Sequence, residues 1–229
     1  MLRRVFAVAV AISVMASGPT FAATVAGWDL LGAPGTQAST PASTSAPNTT
    51  GSALTRGAGL SGNAGANSMN AAGWNQQATD YFEFGFVVAP GYQVDLDDFY
   101  IGTRSSATGP GTVGLFTSLD GFTSPVATFN QAPGANFVNS IVDLSALPTI
   151  TGAFTARVQQ IGATAANGGA TSGTGTFRVG AYFVGSTFDR DMQFTGTVSA
   201  VPEPSSIVLL GLGGLGAALA VARRRRAAR

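Results

Sequence analysis

The chain has 229 residues, with twelve basic side chains, eleven acidic ones and a net charge of +1. It contains no Cys, no His and no Lys. That excludes disulfides, thiolate or imidazole zinc sites, Ser-His-Asp triads and Schiff-base chemistry. Five of the twelve arginines lie in the last seven residues and two more are Arg3 and Arg4, leaving five in the middle against ten acids. The middle is therefore acidic and lacks the basic footprint that nucleic-acid binding needs.

Residues 1–23 read as a signal peptide. Arg3 and Arg4 form the charged start, Val5 to Val14 the apolar core, and small residues follow, with cleavage expected after Ala22 or Ala23. Residues 24–53 read as a first strand, with Trp28 and Leu30 on one face, and then a long loop. The loop, from Gly32 to Gly51, is rich in Ser, Thr, Ala, Gly and Pro, with too little apolar surface to pin itself. Leu54, Leu60, Met69 and Trp74 are the expected anchors of the next stretch.

The body proper, residues 54–200, shows period-2 patterning most clearly from Tyr81 to Val88. Phe82, Phe84, Phe86 and Val88 share one face of that strand. Pro90-Gly91 predicts a turn, and Gln93 to Thr103 the next strand. Its apolar parity slips at Asp97-Asp98, as one extra residue in a β-bulge would make it do. Further strands are expected at residues 113–118, 126–129, 137–142, 154–161, 176–184 and 191–198. Short strands separated by Gly/Pro/Asn turns predict an all-β fold, a β-sandwich closer to a jelly roll than to an immunoglobulin domain.

No residue of the body stands out as catalytic, so the chain reads as a non-enzyme without a cofactor. No metal site is assigned. The nearest candidates are Asp95, Asp97 and Asp98, whose carboxylates could hold Ca²⁺, although solvation at a strand end explains the group as well. Asp189 and Asp191, on either side of Arg190, are a conceivable glycosidase pair but read as a solvated loop. Tyr92, Tyr100, Trp28 and Trp74 are possible sugar platforms, with core packing the competing role.

The tail, residues 201–229, has three parts in fixed order. Pro202-Glu203-Pro204 is a tripeptide that cannot begin as helix interior. Residues 207–222 carry no charge and as a helix would rise roughly 24 Å, close to a membrane span. Arg223, Arg224, Arg225 and Arg226 then mark the end that stays in the cytoplasm. The apolar run spells G-x-G-x-x-G from Gly211 to Gly216, but Pro-Glu-Pro precedes it and no acid follows, which rules out a dinucleotide fingerprint.

This order resembles the PEP-CTERM sorting signal of Gram-negative bacteria, also catalogued as an ice-binding-protein C-terminal domain. The resemblance implies that the tail is a substrate. An exosortase in the membrane would recognise Pro202-Glu203-Pro204 and remove the single transmembrane helix and the arginines. It also implies passage through the secretion machinery, a transient inner-membrane anchor, and a final place at the cell surface or in the extracellular matrix. The expected role is structural or adhesive, in an exopolysaccharide-associated layer. The alternative is a lectin-like module, with or without calcium. Much of the stretch from Leu54 to Val198 resembles the ectodomain common among such proteins. There a Phe-Arg-Ile-type strand leads directly to a closing strand, whereas here Phe177-Arg178-Val179 is followed by a longer passage.

Overall fold

The computed structural model describes residues 23–134, 136–201 and 223–224. Residues 1–22 of the expected signal peptide, Pro202-Glu203-Pro204, the expected span 207–222, Arg225 and Arg226 lie outside the described residues. Among those described, no helix is long and apolar enough to cross a membrane. The described body is all-β.

Strand β1 (Ala23–Trp28) opens it, and Trp28 and Leu30 are both fully buried, as their shared face requires. Residues 32–51 differ from the sequence expectation, because they are not a loop. They supply β2 (Pro34–Gly35), β3 (Ser39–Thr40), β4 (Thr44–Ser45) and the start of β5 (Thr49–Arg56), followed by β6 (Ser61–Gly62) and β7 (Ser68–Ala72). The expected boundary between residues 53 and 54 falls inside β5. The reason is that main-chain N–H and C=O groups pair whatever side chains they carry. β2 pairs with β7, β3 with β5 and β4 with β1. The Arg56 guanidinium reinforces this. It donates to the carbonyls of Asn70 (2.9 Å), Gln37 and Gly35, tying the Ser/Thr-rich segment to the sheet.

In β8 (Tyr81–Val88), Phe82, Phe84, Phe86 and Val88 are all buried. The turn that follows closes with the Tyr92 N–H donating to the Ala89 carbonyl at 3.1 Å, and Gly91 takes a φ of +82°. In β9 (Tyr92–Ser105), Leu96 lies opposite Gly196 and Phe99 opposite Phe194. Asp97 and Asp98 thus share one partner, Thr195, and the parity slip is a β-bulge. Next come β10 (Thr112–Thr117), a 3-10 turn (Ser118–Asp120), β11 (Ala127–Asn130), β12 (Val138–Asp143) and β13 (Ala153–Gln160). The expected strand over residues 176–184 is broken at Ala181 into β14 (Thr176–Gly180) and β15 (Tyr182–Val184). β15 pairs with β16 (Thr187–Arg190), and β17 (Met192–Ala200) closes the body.

The smaller sheet has the order β11-β10-β13-β8-β5-β3. In the larger, β9 is the spine. Phe99 faces Phe194 of β17 on one side and Val142 of β12 on the other, while Gly102 faces Gly180 of β14 and Asn139 of β12. β14 and β17 therefore lie end to end along the same edge of β9. The β15–β16 hairpin is an excursion between them. This is the longer passage after Phe177-Arg178-Val179.

The sheets meet through aromatic side chains. Phe84 lies 5.2 Å from both Trp28 and Phe99, Phe154 lies 5.5 Å from Phe194, and Phe82 lies 6.2 Å from Phe177, all between ring centroids. Such pairs add roughly 0.5–1.5 kcal/mol each beyond the area they bury.

Candidate functional site

The body hands over to its tail at the end of β17. β17 lies between β9 and β1 as far as Gly196, continues on β9 alone, and makes its last pair between Ala200 and Tyr92. The Val201 N–H still donates to the Gly91 carbonyl at 2.9 Å. The next residue is a proline, which has no N–H to continue the ladder. No linker separates the fold from the tripeptide. At the other terminus, Ala23 pairs with Gly196. Both ends of the body consequently leave from the same end of two adjacent antiparallel strands. Arg223 and Arg224 are exposed and helical.

The acidic residues are dispersed. Among the described residues no group of three or more His, Cys, Asp or Glu side chains gathers at a metal-binding distance. Asp95 accepts from the Thr149 hydroxyl at 2.5 Å, and Asp98 from the Tyr100 hydroxyl at 3.3 Å. Asp97 uses its main-chain carbonyl, which accepts from Leu144 N–H at 2.7 Å. The bulge leaves all three outside the core, but their bonds go to different partners and they do not gather into one site. Asp189 and Arg190 belong to β16 and pair with each other, which corrects the loop reading for Asp189, while Asp191 lies between β16 and β17. Asp191 instead accepts from Ser43 at 3.3 Å.

Burial first, and Asp29 second, push the Asp191 carboxyl above the usual Asp value, against a smaller opposing effect from Ser43. The folded protein then holds that proton more tightly than the unfolded chain, so ionised Asp191 opposes folding at neutral pH. Asp191→Asn is expected to melt above wild type at pH 7. The gap should narrow as pH falls through the raised value and close below the ordinary one. Melting curves at pH 7 and pH 3 check this; equal melting at pH 7 would remove the burial penalty.

The aromatic candidates divide. Trp28 and Trp74 are wholly buried, their indole N–H groups bonded to the Ser52 and Ala71 carbonyls at 2.8 and 2.9 Å. They are core, not sugar platforms. Tyr92 packs against the core. Tyr100 lies on the outer face, edge-on to Tyr182 at 5.4 Å and beneath the Arg190 guanidinium at 4.2 Å.

A cleft of about 590 Å³ opens beside the inserted hairpin, lined by Asn67, Asn136, Phe137, Asn139, Phe183, Gly185 and Ser186. Sequence patterning does not single out these side chains, because they come from three separate stretches with no motif between them. Phe137 lies on a floor of two glycines. A Cβ on Gly180 would come within 2.8 Å of its ring, and one on Gly102 within 3.3 Å. The Asn139 Oδ1 accepts from Phe183 N–H at 3.2 Å and the Asn67 Oδ1 from Gly32 N–H at 2.8 Å. These bonds fix each amide's orientation and leave the NH₂ groups as donors. The volume lies within the range of small-molecule sites.

Fold and tail together define an all-β protein that carries a C-terminal sorting tail. Residues 200–226 match the family model of the PEP-CTERM protein-sorting motif. The motif implies an exported protein, recognised by an exosortase and processed while anchored in the membrane. Neither the curated proteins nor the solved structures yield a match to the chain.

Proposed function

We propose that the protein is a non-enzymatic component of a Gram-negative cell surface or extracellular matrix, structural or adhesive in an exopolysaccharide-associated layer. Its body is a jelly-roll-like sandwich in this reading. The observation that carries it is the arrangement of the ends. β17 runs without a linker into the sorting motif, and the N-terminal strand starts beside it. The anchored body therefore stands with that end toward the membrane. β9 runs the other way from Tyr92 to Ser105, and at about 3.3 Å per residue its far end lies roughly 40 Å out. The cleft is at that outer end, beside Gly102.

Cells lacking the protein should attach poorly to a surface. Wild-type protein should restore attachment, and Pro202-Glu203-Pro204→Ala-Ala-Ala should not. Undiminished attachment without the protein would overturn the adhesive role. A second reading, a carbohydrate-binding module, is favoured by the cleft itself, which combines aromatic rings with oriented amides. Glycan-array binding by the purified protein tests it.

A further inference from the structure

Arg104 of β9 and Arg178 of β14 stand directly opposite each other. Their neighbours along each strand, Thr103 and Ser105 on one and Phe177 and Val179 on the other, are buried, so both guanidinium groups lie on the outer face. Like charges in direct cross-strand register repel. The ion pairs among the described residues, Arg157–Glu83 and Arg190–Asp189, include neither of them. Burial first, and the Arg104 charge second, hold the Arg178 pKa below the ordinary arginine value.

Both arginines adjoin the cleft. The Arg178 guanidinium lies 6.0 Å from the centre of the Phe137 ring. The Arg104 Nε donates to the Gly134 carbonyl at 2.9 Å, two residues before Asn136. An arginine pair with no ion-pair partner among the described residues, beside a cleft lined by two phenyl rings and two oriented amides, is a site with all but its anion.

We propose that this cleft binds an acidic saccharide, a uronate-type sugar whose carboxylate lies between Arg104 and Arg178 and whose ring rests against Phe137 and Phe183. This deepens, and rests on, the carbohydrate-binding reading. Arginine's planar fork matches a carboxylate with two parallel charge-assisted hydrogen bonds. The Asn67 and Asn139 NH₂ groups donate to ring hydroxyls, and the apolar C–H face of the sugar covers the phenyl rings. The bound carboxylate relieves the repulsion between the arginines, a gain that no neutral sugar offers.

The test uses the full-length protein in detergent at low salt. Binding of trigalacturonate and trimannuronate is compared with that of galactotriose and mannotriose by titration calorimetry. The uronates are expected to bind at least tenfold tighter. That preference should disappear in Arg178→Gln and in Arg104→Gln and shrink as salt is added. Phe183→Ala should weaken uronate binding. Each arginine variant should melt no lower than wild type, since removing one charge relieves the pair. Equal binding of acidic and neutral sugars would overturn the anionic specificity while leaving a carbohydrate site. Binding of neither would overturn both. A normally melting Arg178→Gln that still prefers uronates would overturn the role of the arginine pair.

Discussion

Mature protein from an exosortase-bearing host is expected to lack residues 207–229 by intact-mass spectrometry. The cut should fall at or beyond Pro202. From Gly196 to Ala200 β17 is in unbroken register with β9, and Val201 is still hydrogen-bonded to Gly91. A protease cleft needs an extended backbone with free hydrogen-bonding groups, and a strand whose backbone is committed to a sheet partner along its length is a poor fit to one. Pro202-Glu203-Pro204 is the first stretch whose chemistry ends the ladder, since proline supplies no donor and disfavours helix around it. Changing the tripeptide to Ala-Ala-Ala should leave full-length protein in the inner membrane. Changing Arg223–Arg226 to Ala should disturb orientation instead, because the arginines act on topology. An intact C-terminus in the wild-type protein from such a host would reduce the tail to a plain anchor.

Phe84→Asp is expected to abolish cooperative folding of the body. Phe84 is 1% exposed and meets Trp28, Phe99 and Phe194 at 5.2, 5.2 and 5.7 Å between ring centroids, which places it at the junction of the two sheets. The substitution removes those contacts and leaves a carboxylate in a site with no cation. Losing the ring costs about 3–5 kcal/mol and burying the unpaired charge several more, against a typical domain stability of about 5–15 kcal/mol. Near-ultraviolet circular dichroism should show loss of the aromatic signal. Val87→Asp is the internal control, because Val87 lies on the opposite face of β8 and is 47% exposed. It should melt close to wild type. A Phe84→Asp protein that melts like the control would show that this face is not the core.

The β8 face is legible in the amino-acid sequence because a strand repeats every two residues and the aromatic positions keep that repeat. The bulge is legible for the same reason. A two-residue period that changes parity at Asp97-Asp98 leaves little alternative to an inserted residue. Residues 32–51 are illegible in the same terms. Their pairing is made by main-chain groups, by the Arg56 guanidinium and by polar side chains such as Gln37, Ser43 and Thr49 bonded to distant carbonyls, and an alternation of apolar residues records none of these. The excursion at β15–β16 is visible in the sequence only as excess length between Val179 and Gly196. The register of β14 and β17 along one edge of β9 shows what that length builds.

By itself the sequence determined the processing end and the all-β class. Both are local properties: a proline's missing donor, an uncharged run of fixed length, a run of arginines, an alternation of apolar residues. Only the tertiary structure decided which acids stay apart, which tryptophans are core, and that Arg104 comes to lie opposite Arg178 beside Phe137 and Phe183. Those outcomes depend on strand register and on which chain segments cross the outer face. Contacts between residues tens of positions apart set both, and no neighbouring residues in the chain encode them.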